Sequence, residues 1–188
     1  MRRRNLFYGA AFKSRALLMV PLVGVLFLCK HWEWEYDPGV WSLGLAMFLP
    51  GLLLRAWAQR HLRYRLHDEP KLATSGPYAY VRNPVYLANA LILGGLCVLC
   101  ELVWMLPVTL VWAGLVYYLA VKFEEVRLAK RFGESYSRYC SRVPAWFPRR
   151  ARTPMAASIP PVGWDRVALA EWQCVLLLAG AVLKECFA

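Results

Sequence analysis

Apolar residues in this chain gather in long blocks, and charged residues collect between the blocks. The apolar runs cover positions 16–29, 40–54, 85–100, 102–121 and 167–183. A helix that crosses a bilayer needs about 20 mostly apolar residues. The first run approaches that length by including Trp32 and Trp34, with Lys30 reaching back to the interface, and the second by continuing through Arg55 to Ala58. Pro50 and Gly51 predict a bend in the second run, with neighbouring helices satisfying the freed backbone groups. Only Glu101 separates the third run from the fourth, which predicts a tight helical hairpin. Glu124 and Glu125 mark the end of the fourth helix and the start of a polar one. In that polar helix, from Lys122 to Tyr139, Phe123, Leu128, Phe132 and Tyr136 recur near i, i+4 spacing and form one apolar face, with Tyr139 close to it. Positions 142–161 are proline-rich and predict an irregular stretch. The last run, with Glu171 near its start, predicts a fifth helix that spans rather than lies in the interface.

Composition supports the membrane reading. The chain is 59% hydrophobic with mean hydropathy +0.36, and its nine tryptophans, ten tyrosines and eight phenylalanines suit a lipid–water boundary. The net charge of +11 would serve nucleic acid or an anionic membrane surface. The basic residues sit between apolar runs and no nucleic-acid recognition signature occurs, so the predicted partner is the lipid bilayer and not nucleic acid. Arg2, Arg3 and Arg4, the 55–71 segment and the residues after Val121 are basic, whereas Glu33, Glu35, Asp37 and Glu101 are acidic. The positive-inside rule then puts the N-terminus, 60–71 and 122–152 in the cytoplasm. The first run follows a basic N-terminus as a signal peptide does, but no small-residue cleavage pattern follows it, so it is read as a retained span. Cys97 and Cys100 have the spacing of a redox or metal pair, but no second pair or suitable histidine accompanies them. Neither a disulfide nor a metal site is expected.

Two polar stretches remain. The first runs Thr74-Ser-Gly-Pro-Tyr-Ala-Tyr-Val-Arg-Asn-Pro-Val-Tyr86. The second holds Glu124-Glu125, Phe132-Gly133-Glu134, Tyr136, Tyr139 and Arg142-Val-Pro144. In this order, with a helical hairpin between them, they resemble the isoprenylcysteine carboxyl methyltransferase and phospholipid methyltransferase group of integral membrane enzymes, over residues 62–148. The resemblance implies S-adenosylmethionine as methyl donor and a lipophilic or small membrane-accessible acceptor bearing a carboxylate, amine or thiol. No glycine-rich dinucleotide fingerprint follows a strand-like segment, which excludes a soluble Rossmann-type methyltransferase.

Such a donor needs an anion for its ammonium, a hydrogen-bond donor for its carboxylate, and aromatic or apolar walls. Gly76-Pro77 predicts a turn ahead of Tyr78, and Asn83-Pro84 the start of the third helix, whose free N–H groups favour an anion. Arg82 adds charge and a planar fork beside it. By this reading Lys71, Leu72, Ala73, Tyr78, Asn83, Pro84, Tyr86 and Glu124 bind the cofactor. Lys71, Leu72 and Ala73 are assigned by the resemblance alone, as the stretch beside the adenosine. Arg82, Glu124 and Glu125 are the candidate catalytic residues, with Glu125 as base for an amine or thiol acceptor. The bland alternatives are an interfacial arginine and a solvated glutamate pair matched by Lys122 and Arg127. Phe132, Gly133 and Tyr136 are expected to pack over the pocket, and His61 and His67 to be solvated loop residues. Asn83 stands where the family usually has histidine, which removes a titratable group. Ala120 stands where the carboxyl methyltransferases carry an arginine facing the acceptor.

The chain is thus read as an all-α, polytopic membrane protein with about five transmembrane helices and a cytoplasmic catalytic segment. It forms one domain over 1–188, with its motif-bearing core at 62–148 and a C-terminal helix at 165–184 appended. Its active site is expected to face the cytoplasm, from the cell inner membrane or an endomembrane. A nicotinamide-dependent membrane reductase resembling sterol reductases, and a non-enzymatic helical subunit or carrier, are the alternatives. The sequence carries no signal for an oligomeric state.

Overall fold

A computed structural model describes residues 17–29, 38–62, 72–149 and 163–186. They form helices α1 (Leu17–Leu28), α2 (Pro38–Leu62), α3 (Pro84–Leu99), α4 (Leu106–Arg142) and α5 (Trp164–Cys186), with 3-10 turns at Gly76–Ala79 and Val103–Met105. No strand occurs among the described residues.

Two helical stretches, Pro38–Leu62 and Val103–Arg142, are long and apolar enough to cross a membrane. Only 17% of the apolar stretch of α2 is buried among the described residues, whereas the core helix of a soluble domain is mostly buried. Leu43, Leu49 and Leu53 of α2 and Val108, Val111, Trp112 and Leu115 of α4 point outward. An apolar belt of that kind is costly in water and suits lipid.

Two expectations about the helices change. The 55–62 part of the expected basic loop is helix, and α2 runs unbroken through Pro50 and Gly51 to Leu62. The fourth apolar run and the polar segment after it are one helix, without a break at Glu124 and Glu125. The break falls at Gly133, whose φ of 51° and ψ of −123° are open to glycine and strained for other residues. At about 1.5 Å per residue α4 is far longer than a hydrocarbon layer is thick, long enough to cross one with its polar end beyond it.

The core forms where α2 and α3 approach closely. A side chain on Gly95 would meet the backbone of Phe48 and Gly44, and one on Gly51 the backbone of Ala88 and Ile92. Small residues of this kind let helix backbones pack where lipid gives no hydrophobic drive. Leu26, Phe48, Leu96, Leu99 and Leu102 fill the space around that contact. α3 ends in a hydrogen-bonded reversal in which Leu102 N–H reaches Cys97 O and Glu101 N–H reaches Val98 O. Glu101 takes the left-handed position there (φ 60°), and its side chain is buried rather than exposed at the outer surface. α5 lies along the bundle. Its start meets α2, where the Arg60 guanidinium lies 4.5 Å from the Trp164 ring, and near its end Lys184 Nζ donates to Cys100 O.

Candidate active site

The Gly-Pro-Tyr loop is shaped by two local features. Gly76 adopts φ +60°, and a side chain on it would overlap the ring of His61, so glycine is required on both counts. Pro77 then leads a 3-10 turn in which its carbonyl accepts from both Tyr80 and Val81 N–H. His61 is therefore not a solvated loop residue. It occupies the last turn of α2, packs on Gly76, and its Nδ1 lies 3.1 Å from Ser75 Oγ. His67 lies outside the described residues.

The polar end of α4 and the strand-like residues after it strap across this loop. Tyr139 OH donates to Tyr78 O at 2.7 Å, and Arg82 N–H to Pro144 O at 2.9 Å. Asn83 Nδ2 donates to Ala145 O at 3.1 Å, and Arg149 N–H to Tyr80 O at 3.2 Å. The bend at Gly133 comes just before this strap. Asn83 precedes α3 and makes no side-chain bond to its first turn, while Pro84 opens the helix where a missing N–H costs nothing.

Loop, strap and the ends of α2, α3 and α4 enclose a cavity of about 460 Å³. That volume falls in the range of small-molecule pockets, roughly 300–1,000 Å³. Leu72, Ala73, Tyr78, Arg82, Asn83, Pro84, Tyr86, Glu124 and Glu125 all line it, and Lys71 lies outside the described residues. The chain order thus brings together two stretches held apart by a helical hairpin. Gln59 and Leu62 of α2, Val85 of α3, and Val121, Leu128, Tyr136 and Tyr139 of α4 line it as well. Tyr136, expected only to pack the polar helix, faces the cavity as well as packing with Tyr139 and Val143. The tyrosines at 136 and 139 were legible as a pair spaced by three, so one helix face carries both. Gln59 carried no such signal.

Charge is arranged unevenly across the cavity. Arg82 Nη1 lies 3.2 Å from Glu125 Oε1 and 2.8 Å from Cys140 Sγ. Lys122 Nζ reaches the other oxygen of Glu125 at 3.1 Å. Burial pulls the Arg82 pKa down, but Cys140, Glu125 and Tyr136 outweigh it and leave the group above its ordinary value. It is a permanent cation. Its Nε is buried and has no hydrogen-bond partner among the described residues. Glu124 Oε2 accepts from Tyr86 OH at 3.3 Å. Burial raises the Tyr136 and Tyr139 phenols well above their usual range, so both remain protonated donors. Tyr86 in turn packs on Tyr117, with ring centroids 5.2 Å apart. Ala120 is fully buried in the cluster that holds Tyr86 and Tyr117 and brings no charge. The cavity therefore offers a carboxylate with spare capacity, a guanidinium, and phenol walls. A zwitterion with a flat or cationic body fits that set. No group of three or more His, Cys, Asp or Glu side chains is placed to hold a metal ion among the described residues.

A family model described as phospholipid methyltransferase matches residues 40–135, which include α3, the Gly-Pro-Tyr loop and the glutamate pair. The chain is 29% identical to the cobalt-zinc-cadmium resistance protein CzcN of Cupriavidus metallidurans over 136 residues, which cover 72% of this chain and 62% of that protein. It is 26% identical to the nickel-cobalt-cadmium resistance protein NccN of Alcaligenes xylosoxydans xylosoxydans, over 70% of this chain and 62% of that protein. The match thus spans somewhat under two thirds of the length of these curated relatives. No solved structure matches the chain.

Proposed function

The chain belongs to the phospholipid methyltransferase family, and from that premise we propose that its cavity binds S-adenosylmethionine and that the protein methylates a lipophilic or small membrane-accessible acceptor. The observation that supports this reading most directly is the meeting of the two motifs around one cavity, with Arg82 against Glu125 and Glu124 against Tyr86. The residues suit the donor. Glu124 would accept from its ammonium, the Arg82 guanidinium would donate to its carboxylate, and Leu72, Ala73 and the tyrosines would form apolar and aromatic walls. When bound, the cofactor supplies an electrophilic methyl group. The protein's share is orientation and exclusion of water at the acceptor. Glu125, held between Arg82 and Lys122, sets the direction of the Arg82 fork. A proton leaving an amine or thiol acceptor passes to a glutamate of this pair, and a carboxylate acceptor needs no base.

All five helices span in this reading. α5 supports it, because it meets α2 at the motif end and the α3–α4 turn at the other end. The basic segments around the cavity support a cytoplasmic orientation for it. The donor then arrives from water and the acceptor from the bilayer.

Calorimetric titration of the purified protein with S-adenosylhomocysteine and, separately, NADPH tests the cofactor. Binding of the first alone is expected, and binding of NADPH alone would replace this reading with a reductase. Isotopically labelled donor incubated with protein and total membrane lipid then identifies the acceptor through the labelled product. Orientation is checked with Glu134→Cys in intact cells, where labelling by an impermeant reagent from outside would reverse it.

A further inference from the structure

Arg55 of α2, Asn89 of α3 and Glu171 of α5 meet between the helices and line no part of the cavity. Arg55 Nε donates to Glu171 Oε2 at 2.5 Å, and Arg55 Nη1 donates to Asn89 Oδ1. The Glu171 side chain is 7% exposed. Removing such charges from water is expensive, and an apolar trio would join three helices at lower cost. An ion pair at this depth calls for a use other than cohesion.

Its place supplies one. Gln59 lies one turn beyond Arg55 on the same face of α2, and Val85 one turn before Asn89 on the same face of α3. Both line the cavity. The polar trio is therefore the next layer of the same helix faces that form the pocket wall. Arg55 falls within the residues that match the family model, whereas its counter-ion comes from α5, outside them.

We infer that Arg55, Asn89 and Glu171 are positioning residues for the pocket. Glu171 holds the guanidinium so that its other arm grips Asn89 and sets the first turns of α3, which carry Pro84 and Tyr86. Only a fork reaches both partners; an ammonium keeps the ion pair and loses the grip. α5 is thereby a working part of the site. The inference rests on the methyltransferase reading.

The test uses the full chain in detergent and measures both the thermal midpoint and S-adenosylhomocysteine affinity. Glu171→Gln leaves a cation without its counter-ion and should lower the midpoint. Arg55→Lys, Asn89→Leu and the double variant Arg55→Leu/Glu171→Leu should remain folded, yet bind S-adenosylhomocysteine about fivefold more weakly or worse, the order of one lost polar contact. In turnover assays the same variants should raise the donor KM more than they lower kcat. Affinity within about twofold of the unaltered chain in the folded variants overturns the inference, as that is less than a lost hydrogen bond. Failure of all three to fold overturns it too, in favour of a purely structural pair. If the unaltered chain does not bind S-adenosylhomocysteine, the methyltransferase reading falls and takes this inference with it. Binding by the unaltered chain with unaffected variants removes the inference alone.

Discussion

The two ends of the α2–α3 pair use the same helices for different purposes. Toward the α3–α4 turn, Gly44 and Gly95 bring the backbones together and Phe48, Leu96 and Leu99 close the gaps. Toward the motif end, Gln59 and Leu62 of α2 and Val85 and Tyr86 of α3 face a cavity with charged and phenolic walls. One end depends on volume, the other on charge and donor geometry. Added volume should therefore damage the first, and altered charge should damage the second without unfolding the protein.

The largest effect is expected from Gly95→Ala. The new methyl would lie 2.7 Å from Phe48 N and 2.9 Å from Gly44 O, and backbone atoms cannot swing aside. A loss of about 3 kcal/mol in an equilibrium unfolding measurement is expected. Gly114→Ala is the control, since nothing lies within 4 Å of its added carbon, and it should leave stability unchanged or raised. Equal effects at the two glycines would break the comparison. Next comes the charge at the motif end. Glu124→Gln should lower turnover about tenfold, equivalent to roughly 1.4 kcal/mol in the barrier, with the unfolding midpoint unchanged. Arg82→Lys should also cost activity, because the fork is lost while the charge is kept. Turnover within about twofold for both would remove these residues from the site.

Two smaller effects sharpen the boundary. Tyr139→Phe removes the bond to Tyr78 O that fastens the strap, and should cost about 1 kcal/mol of stability. A thermal-shift series comparing it with Tyr136→Phe measures that bond against its neighbour. The Arg138–Glu134 pair lies on the exposed side of the same helix, with both side chains mostly in solvent. Arg138→Ala should therefore shift stability by no more than about 0.5 kcal/mol, and a larger shift would show that the strap depends on its outer surface.

The helices, their order and the α3–α4 hairpin were legible in the chain because an apolar run is a local property. Burial demands it wherever the helix ends up. The motif residues were legible for a related reason: Gly76, Pro77 and Pro84 constrain their own backbone, so their positions mark a turn and a helix start. Only tertiary structure decided the rest. The residues from Lys122 onward suit a helix whether or not it is joined to the run before, so the continuity of α4 and the position of its break at Gly133 appear only in the structure. His61 reads as solvated until the loop folds back and sets Gly76 against its ring. Gln59, Val85 and Val121 face the cavity because of how three helices are rotated against one another, which no single helix encodes. The Arg55–Glu171 pair joins residues separated by 116 positions. Hydrophobic periodicity is read one helix at a time, whereas charge pairing and cavity shape depend on distances that exist only once the helices meet.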